Sequence, residues 1–97
     1  MDQNTIRQVW EKARAIDGYD PSQYRKDECG AWIAFQQYGK RNKLNLGWEI
    51  DHITPQSKGG SDMISNLRPL HWENNVHKNN GRLSKLVTAK GNENAYV

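Results

Sequence analysis

One stretch of the sequence, residues 48–79, constrains the fold more than any other. It opens with Trp-Glu-Ile-Asp, and this alternation of apolar and polar residues is typical of a half-buried strand. Pro55 and the Gly59-Gly60 pair end that strand, and a second short strand is predicted from Asn66 to Leu70. A helix is predicted to follow from about His71 to Asn79. Strand, loop, strand and helix therefore succeed one another in a single short unit.

The predicted helix has two faces of different character. Trp72 and Val76 lie four residues apart, and they predict an apolar face that packs on the strands. His71, Asn75 and Lys78 share another face at helical spacing. This second face therefore carries polar side chains that could take part in a site.

The first part of the chain predicts an amphipathic helix. Apolar residues recur there with the helical period, at Ile6, Val9, Trp10, Ala13 and Ile16. A strand is predicted from Gly30 to Phe35, and a basic loop from Tyr38 to Gly47. The tail that follows Gly81 fits either a helical turn or an edge strand.

Few residues are available to build a hydrophobic core. Leu, Ile, Val and Phe number 17 among 97 residues, a fraction at which disorder becomes a competing interpretation. The net charge of only +3 and the presence of 4 Trp and 4 Tyr argue for a folded chain. We therefore predict a small single domain of the α+β class over residues 1–97, with a small aromatic core.

The sequence gives no sign of export or of membrane insertion. Its longest apolar run, Ala31 to Phe35, is far shorter than the roughly 20 residues that a membrane helix needs. No signal peptide is recognisable at the start. The lone Cys29 can form neither an internal disulfide nor an all-cysteine zinc site. We therefore expect a reducing, cytoplasmic setting and no membrane partner.

Charge is distributed unevenly along the chain. An acidic segment, residues 49–76, lies between two basic segments, residues 36–48 and 77–97. This pattern suits a phosphate-binding rim around a metal-binding centre, and it suits an ordinary solvated surface as well. Either role fits the basic residues of the last segment, which are Lys78, Arg82, Lys85 and Lys90.

The residues that could do chemistry cluster in the strand–loop–strand–helix unit. Alongside Asp51, Asn66 and Asn75, the unit holds all three histidines of the chain, His52, His71 and His77. The unit would bring Asp51 and His52 close to the start of the helix, and these groups can assemble a divalent-metal site. Adjacent residues of a regular strand point to opposite faces, so this pair must lie where the strand ends or kinks.

The same residues resemble the motif of the HNH endonuclease family. The match runs from Trp48 to about Asn80 and has the asparagine form of the third position, as in the HNH nuclease domain of RNA-guided DNA-cleaving enzymes. The matching residues are Asp51-His52-Ile53-Thr54-Pro55, Gly59-Gly60, Asp62, Asn66-Leu67, Leu70, Asn75 and Lys78. So many separately placed agreements make the resemblance specific.

The resemblance implies a ββα-metal (His-Me finger) centre that hydrolyses phosphodiester bonds with one divalent metal ion, Mg²⁺ or Mn²⁺. It implies that Asp51 and Asn75 ligate the metal and that His52 is the general base toward the attacking water. Asn66 would complete the catalytic set by pinning the loop between the strands and so fixing the His52 ring. Lys78 would bind the nucleic acid by holding a phosphate oxygen.

One departure from the family concerns zinc. Many members carry two Cys-x-x-Cys pairs that bind a structural zinc, whereas here the helix pair falls at His71 and Asn74 and only Cys29 lies upstream. We therefore expect no structural zinc, and we expect that space to be filled by packed rings of Trp32, Trp48 and Trp72. A mixed site of Cys29, His71 and His77 would lack a clear fourth ligand.

The resulting prediction is a metal-dependent HNH endonuclease that acts on nucleic acid with low sequence specificity, its expected substrate being DNA, with RNA as the alternative. The chain could be a free-standing nuclease of a phage or mobile element. It could also be a nuclease toxin or one component of a larger machine, with an immunity protein or a larger complex as its partner. A non-catalytic nucleic-acid-binding domain is the third alternative, and the intact Asp51, His52 and Asn75 argue against it.

Overall fold

A computed structural model describes the chain from Met1 to Val97. Two α-helices and six short strands follow one another as α1 (Gln3–Trp10), β1 (Tyr24–Lys26), β2 (Trp32–Ala34), β3 (Trp48–His52), β4 (Leu67–His71), α2 (Trp72–Lys78), β5 (Val87–Lys90) and β6 (Glu93–Tyr96). The strands pair as three antiparallel hairpins, β1–β2, β3–β4 and β5–β6. The predicted α+β class is confirmed.

The central unit of the fold is β3–β4–α2, in the order that the sequence predicts. β3 and β4 pair in register from Trp48 opposite His71 to His52 opposite Leu67. His71 ends β4 and also caps α2, because its Nδ1 accepts a hydrogen bond of 3.1 Å from the backbone N–H of Glu73. The helix therefore leaves the hairpin without a connecting loop, and its first turn is fixed to the end of β4.

The buried face of α2 is not the one that the apolar spacing predicts. Val76 is 50% exposed and Trp72 is only half-buried, so the prediction of an apolar packing face was wrong. The helix instead buries three polar side chains, those of Glu73, Asn74 and Lys78. Each of the three has a hydrogen-bond or ion-pair partner in the interior, which removes most of the cost of burying it.

The first helix is amphipathic, as predicted, but it is shorter than its apolar pattern suggests. α1 ends at Trp10 instead of continuing to Ile16. The chain leaves the helix because Arg14 pairs with Lys26 of β1 through two backbone hydrogen bonds of 2.9 Å. Ala13 is buried all the same, so the segment that follows the helix still contributes to the core.

The hydrophobic core lies between α1, β2 and the β3–β4 hairpin. Its buried members are Ile6, Val9, Trp10, Ala13, Ile33, Trp48 and Leu67. The rings of Trp10 and Trp48 pack with their centroids 5.3 Å apart, and Phe35 and Tyr38 pack around them. Two tryptophans therefore form the centre of the core, in keeping with the shortage of aliphatic residues.

The remaining elements complete the comparison with the sequence. β2 lies inside the strand predicted from Gly30 to Phe35, and a short 3₁₀ turn follows it at Phe35–Gln37. The tail forms the β5–β6 hairpin, so of its two predicted alternatives the strand is observed. Neither helix has the length and apolar character that a bilayer crossing requires.

Candidate functional site

The end of β3, the loop that follows it and the face of α2 opposite them enclose a cavity of about 280 Å³. β3 ends at His52, which lets two adjacent residues line the same cavity although a regular strand would separate them. Four of the five predicted site residues line this cavity: Asp51, His52, Asn75 and Lys78. The fifth, Asn66, lies in the loop that shapes it.

Asp51 is a buried carboxylate with a cation on each oxygen. Its side chain is 5% exposed, its Oδ2 accepts from Arg68 Nε at 2.8 Å, and its Oδ1 lies 3.3 Å from Lys78 Nζ. Arg68 stands directly across the hairpin from Asp51 and also contacts Glu28 at 3.1 Å. These contacts offset the cost of burying the carboxylate, and the contact with Lys78 ties its Oδ1 to α2.

Asn75 reaches the same cavity from the helix. Its Nδ2 donates a hydrogen bond of 2.9 Å to Glu49 Oε1, whereas its Oδ1 makes no hydrogen bond within the protein. The two side chains that line the cavity therefore carry one carboxylate and one amide oxygen without a protein partner, and oxygen donors of this kind are those that Mg²⁺ and Mn²⁺ prefer. The donor set of Asp51 and Asn75 thus fits a divalent cation.

Lys78 lies deeper than a surface lysine. Its side chain is 3% exposed, and besides Asp51 its ammonium donates to the carbonyl oxygens of His52 at 3.3 Å and of Asn79 at 3.4 Å. The ammonium therefore shares the space next to Asp51 that a bound cation would also use. The two positive charges cannot both be fully satisfied by one carboxylate, so they would compete for it.

His52 is oriented by an acidic partner. Its Nε2 lies 2.7 Å from Asp62 Oδ1, and Gln56 donates to the same oxygen at 3.2 Å. A carboxylate can only accept, so Nε2 carries the proton and leaves Nδ1, which has no protein partner, as the basic nitrogen of the neutral ring. The hydrogen bond from His52 lowers the pKa of Asp62 below its usual range, so this carboxylate stays ionised at neutral pH.

Asn66 holds the loop between β3 and β4. Its Oδ1 accepts from Thr54 N–H at 2.8 Å, and its Nδ2 donates to the carbonyl oxygens of Thr54 at 3.1 Å and Ser61 at 2.8 Å. The loop passes so close that a Cβ at Gly60 would lie 1.7 Å from Thr54 O and 3.0 Å from Asn66 Nδ2. Only glycine fits there, which accounts for the second residue of the Gly59-Gly60 pair.

A buried polar network, rather than packed tryptophan rings, occupies the space at the start of α2. Asp27 Oδ1 accepts from the backbone N–H groups of Cys29 and Ala31, and its Oδ2 accepts from His71 N–H and Asn74 Nδ2, at 2.8–3.1 Å. Asn74 also binds the backbone at the start of β5 through three hydrogen bonds, accepting from the N–H groups of Leu86, just before the strand, and Val87, and donating to the carbonyl oxygen of Val87. The prediction that three tryptophans fill this space was therefore wrong, since polar groups link α2 to the neighbouring segments.

The histidines and the cysteine do not form a second metal site. His71 is buried and uses both ring nitrogens in hydrogen bonds, to Glu73 N–H and to Asn45 O, while His77 is exposed on α2. No three His, Cys, Asp or Glu side chains are arranged so that together they could hold a metal ion. Burial and the charge of Asp27 raise the pKa of the Cys29 thiol to about 11, which keeps it protonated at neutral pH.

A larger groove of about 520 Å³ adjoins the site through Arg68, which lines the groove and contacts Asp51. Basic side chains dominate its lining: Lys12, Arg14, Lys26, Arg68 and Lys85. The acidic groups there are Asp27, which is buried, and Glu28, which pairs with Arg68. Arg14 and Lys85 are exposed and have no ion-pair partner, so they give the groove a positive potential.

Three residues of the site lie outside the prediction from sequence. Glu49 and Arg68 were given no role, although the alternation along β3 and the hairpin register place one beside Asn75 and the other opposite Asp51. Asp62 belongs to the matched motif, but its contact with His52 follows only from the path of the loop. Pairing register and loop path are set by tertiary structure, so the residue pattern alone could not supply them.

An antiparallel hairpin followed at once by a helix, with an Asp-His pair at the end of the first strand and an Asn on the helix, defines the ββα class of fold. The sequence model of the HNH endonuclease family matches residues 37–81, which include the whole of this unit. The match confirms the predicted resemblance to the HNH endonuclease family and supports a nuclease of the HNH type. No curated protein and no solved structure matches the chain.

Proposed function

We propose that the chain is a metal-dependent HNH endonuclease that hydrolyses phosphodiester bonds of DNA, with residues 1–97 acting as one nuclease domain in the cytoplasm. The observation that carries this proposal is the convergence of Asp51, His52, Asn75 and Lys78 on one cavity. A surface without chemistry has no need to hold a buried carboxylate, a free amide oxygen and a ring nitrogen without a protein partner together.

Asp51 and Asn75 would hold one divalent cation, Mg²⁺ or Mn²⁺. Both side chains line the cavity and carry oxygen atoms, and the Oδ1 of Asn75 has no competing partner in the protein. A bound cation would supply Lewis-acid chemistry at a phosphate oxygen and at the leaving oxygen. Two protein ligands leave room for water and a phosphate group to bind the same ion.

His52 would act as the general base. The neutral ring can accept the proton of the attacking water at Nδ1, because Nε2 is committed to Asp62. Asp62 would then stabilise the imidazolium that forms, by holding its Nε2–H and by its negative charge. Asn66 contributes indirectly, since it fixes the loop that begins immediately after His52.

Basic side chains at two places, the cavity and the groove beside it, would bind the nucleic acid. Lys78 would hold a phosphate oxygen in the cavity, turning its ammonium from the Asp51 carboxylate toward the substrate. Arg14 and Lys85 would contact the phosphate backbone along the groove beside the site. Contacts of this kind follow the backbone and read no base, which agrees with low sequence specificity.

Cleavage of supercoiled plasmid by the full chain tests the proposal. The protein should nick or linearise plasmid with Mg²⁺ or Mn²⁺ and should be inactive in EDTA. His52→Ala should lower the cleavage rate about 100-fold or more, the usual contribution of a general base. His77→Ala is the matched control and should cleave like the wild type, since His77 is exposed and lies away from the cavity lining. Full activity in His52→Ala would remove the general-base role.

A further inference from the structure

Glu49 lies next to the candidate metal cavity without lining it. It belongs to β3, two residues before Asp51, and its side chain is 17% exposed. Its Oε1 accepts the hydrogen bond of 2.9 Å from Asn75 Nδ2. This contact is the one side-chain hydrogen bond that Asn75 makes. Glu49 is therefore the residue whose hydrogen bond sets the orientation of the Asn75 amide.

The chemistry of the contact leaves only one orientation for the amide. An asparagine side chain can rotate by half a turn and exchange its oxygen for its nitrogen with little change of shape. An ionised carboxylate has only acceptors, so it binds the NH₂ group and rejects the oxygen. The Oδ1 of Asn75 must then point away from Glu49, and it is the atom that remains free of protein hydrogen bonds.

Glu49 is itself held in place by an arginine. Arg41 donates to it from Nε at 2.5 Å to Oε2 and from Nη2 at 2.9 Å to Oε1. The guanidinium also lies over the ring of Trp72, 5.8 Å from its centroid, on the first turn of α2. A bidentate pair of this kind fixes a planar carboxylate more firmly than a single contact would.

We propose that Glu49 is a positioning residue that turns the carbonyl oxygen of Asn75, rather than its NH₂ group, toward the divalent cation. This inference rests on the proposed function, because it requires that Asn75 bind the cation. Glu49 touches neither the cation nor the substrate in this account. Glu49 disfavours the rotated form of the Asn75 amide, in which the NH₂ group, with its partial positive charge, would face the metal ion.

Binding of Mn²⁺ to the full chain without nucleic acid tests this role, followed by electron paramagnetic resonance or calorimetry. Asn75→Ala should lose most of its Mn²⁺ affinity. Glu49→Gln should weaken binding about tenfold or more, the usual effect of removing a group that orients a metal ligand, because a glutamine accepts either orientation of the amide. Glu73→Gln is the control, since it also neutralises a buried glutamate, one within α2 whose carboxylate accepts from Leu44 and Tyr96 and not from Asn75. It should bind Mn²⁺ like the wild type.

The decisive variants place aspartate at position 75. A carboxylate has two equivalent oxygens and needs no orientation, so Glu49→Gln should cause no loss of Mn²⁺ affinity when combined with Asn75→Asp. If Glu49 acted only through its charge, Glu49→Gln would weaken binding equally in both backgrounds, and the positioning role would be overturned. A role confined to stability would lower the melting temperature without this dependence on residue 75.

The failures of the two proposals are distinguishable. Wild-type Mn²⁺ affinity in Asn75→Ala would overturn the metal site and the positioning role together, whereas a loss there with no loss in Glu49→Gln would overturn the positioning role alone. If the variants do not fold, a measurement on the wild-type protein still tests the positioning role. The side-chain NH₂ resonances of Asn75 should be protected from exchange with water, before and after Mg²⁺ is added. Exchange as fast as that of an exposed asparagine would contradict the proposal.

Discussion

At the scale of single residues, buried asparagines link distant segments of the chain, a role that apolar or metal-binding side chains have in other small domains. Asn74 is fully buried and Asn94 is 9% exposed, and both bind backbone groups of distant segments. Asn94 accepts from Trp32 N–H at 2.7 Å and donates to Trp32 O at 2.9 Å. Burial of these amides is tolerable because every buried side-chain polar atom has a partner. Of the ten asparagines in the chain, some thus make structural hydrogen bonds and others belong to the site.

His71 predicts an acid-sensitive step in stability. Burial lowers its pKa below the usual 6.5, and its Nδ1 already accepts from Glu73 N–H, so the folded protein resists protonation there. Below about pH 6.5 the unfolded chain therefore binds more protons, and the free energy of unfolding falls as the pH falls toward the lower, folded-state pKa. Urea unfolding at pH 7.5, 6.5 and 5.5 measures this loss.

Two variants isolate that step. In His71→Asn an asparagine can still cap α2 but does not titrate, so less stability should be lost between pH 7.5 and 5.5 than in the wild type. His77→Asn, at an exposed position, should lose as much as the wild type. Equal losses in the wild type and His71→Asn would show that another group controls the acid sensitivity.

At the scale of elements, the loop between β3 and β4 couples stability to activity. Asn66→Ala removes three hydrogen bonds to the loop backbone, and we expect a loss of about 1–3 kcal/mol in the free energy of unfolding. Cleavage should fall together with stability, since the loop carries Asp62 to His52. Chemical unfolding and plasmid cleavage measure the two effects. Ser65→Ala, at an exposed neighbour, is the control, and wild-type stability in Asn66→Ala would contradict this account.

The helices and strands also show how much of the fold could be predicted from the sequence. Strand, loop, strand and helix were predictable because period-2 alternation, Pro55 and the glycine pair are local signals. The buried face of α2 was not, because apolar spacing assumes that apolar side chains face inward, and here Asn74 and Lys78 do so with buried partners. The early end of α1 depends on backbone pairing with β1, a tertiary contact without a local signal.

The candidate site likewise has a part that could be predicted from the sequence and a part that could not. Its positions could be predicted from the spacing of motif residues, since Asp51, His52 and Asn75 line one cavity. Their partners could not, because Arg68 meets Asp51 across the strand-pairing register and Glu49 meets Asn75 where β3 packs on α2, and only the folded chain defines both contacts. The motif therefore indicates which groups meet, while the surrounding side chains decide how each is charged and oriented.

At the scale of the whole molecule, the basic groove predicts where DNA lies. Lys85→Glu should weaken binding of a DNA duplex, measured by fluorescence anisotropy in EDTA so that no cleavage occurs. The salt dependence of binding should also become shallower, by about 0.9 in the slope of log K against log salt for each phosphate that the variant no longer neutralises. Arg7→Glu makes the same change of charge at an exposed position outside the groove and should bind DNA more like the wild type. Equal weakening in both variants would show that net charge, not the groove, sets the affinity.

The central claim of the account is that Asp51 and Asn75 share one divalent cation within reach of His52. Anomalous diffraction from crystals soaked in Mn²⁺ tests this claim most directly, because it locates the ion without reference to activity. The account predicts one peak in the 280 Å³ cavity, at a distance of about 2.0–2.4 Å from a carboxylate oxygen of Asp51 and from Oδ1 of Asn75. An ion bound elsewhere, or an Asn75 amide that presents its nitrogen to the ion, would contradict it.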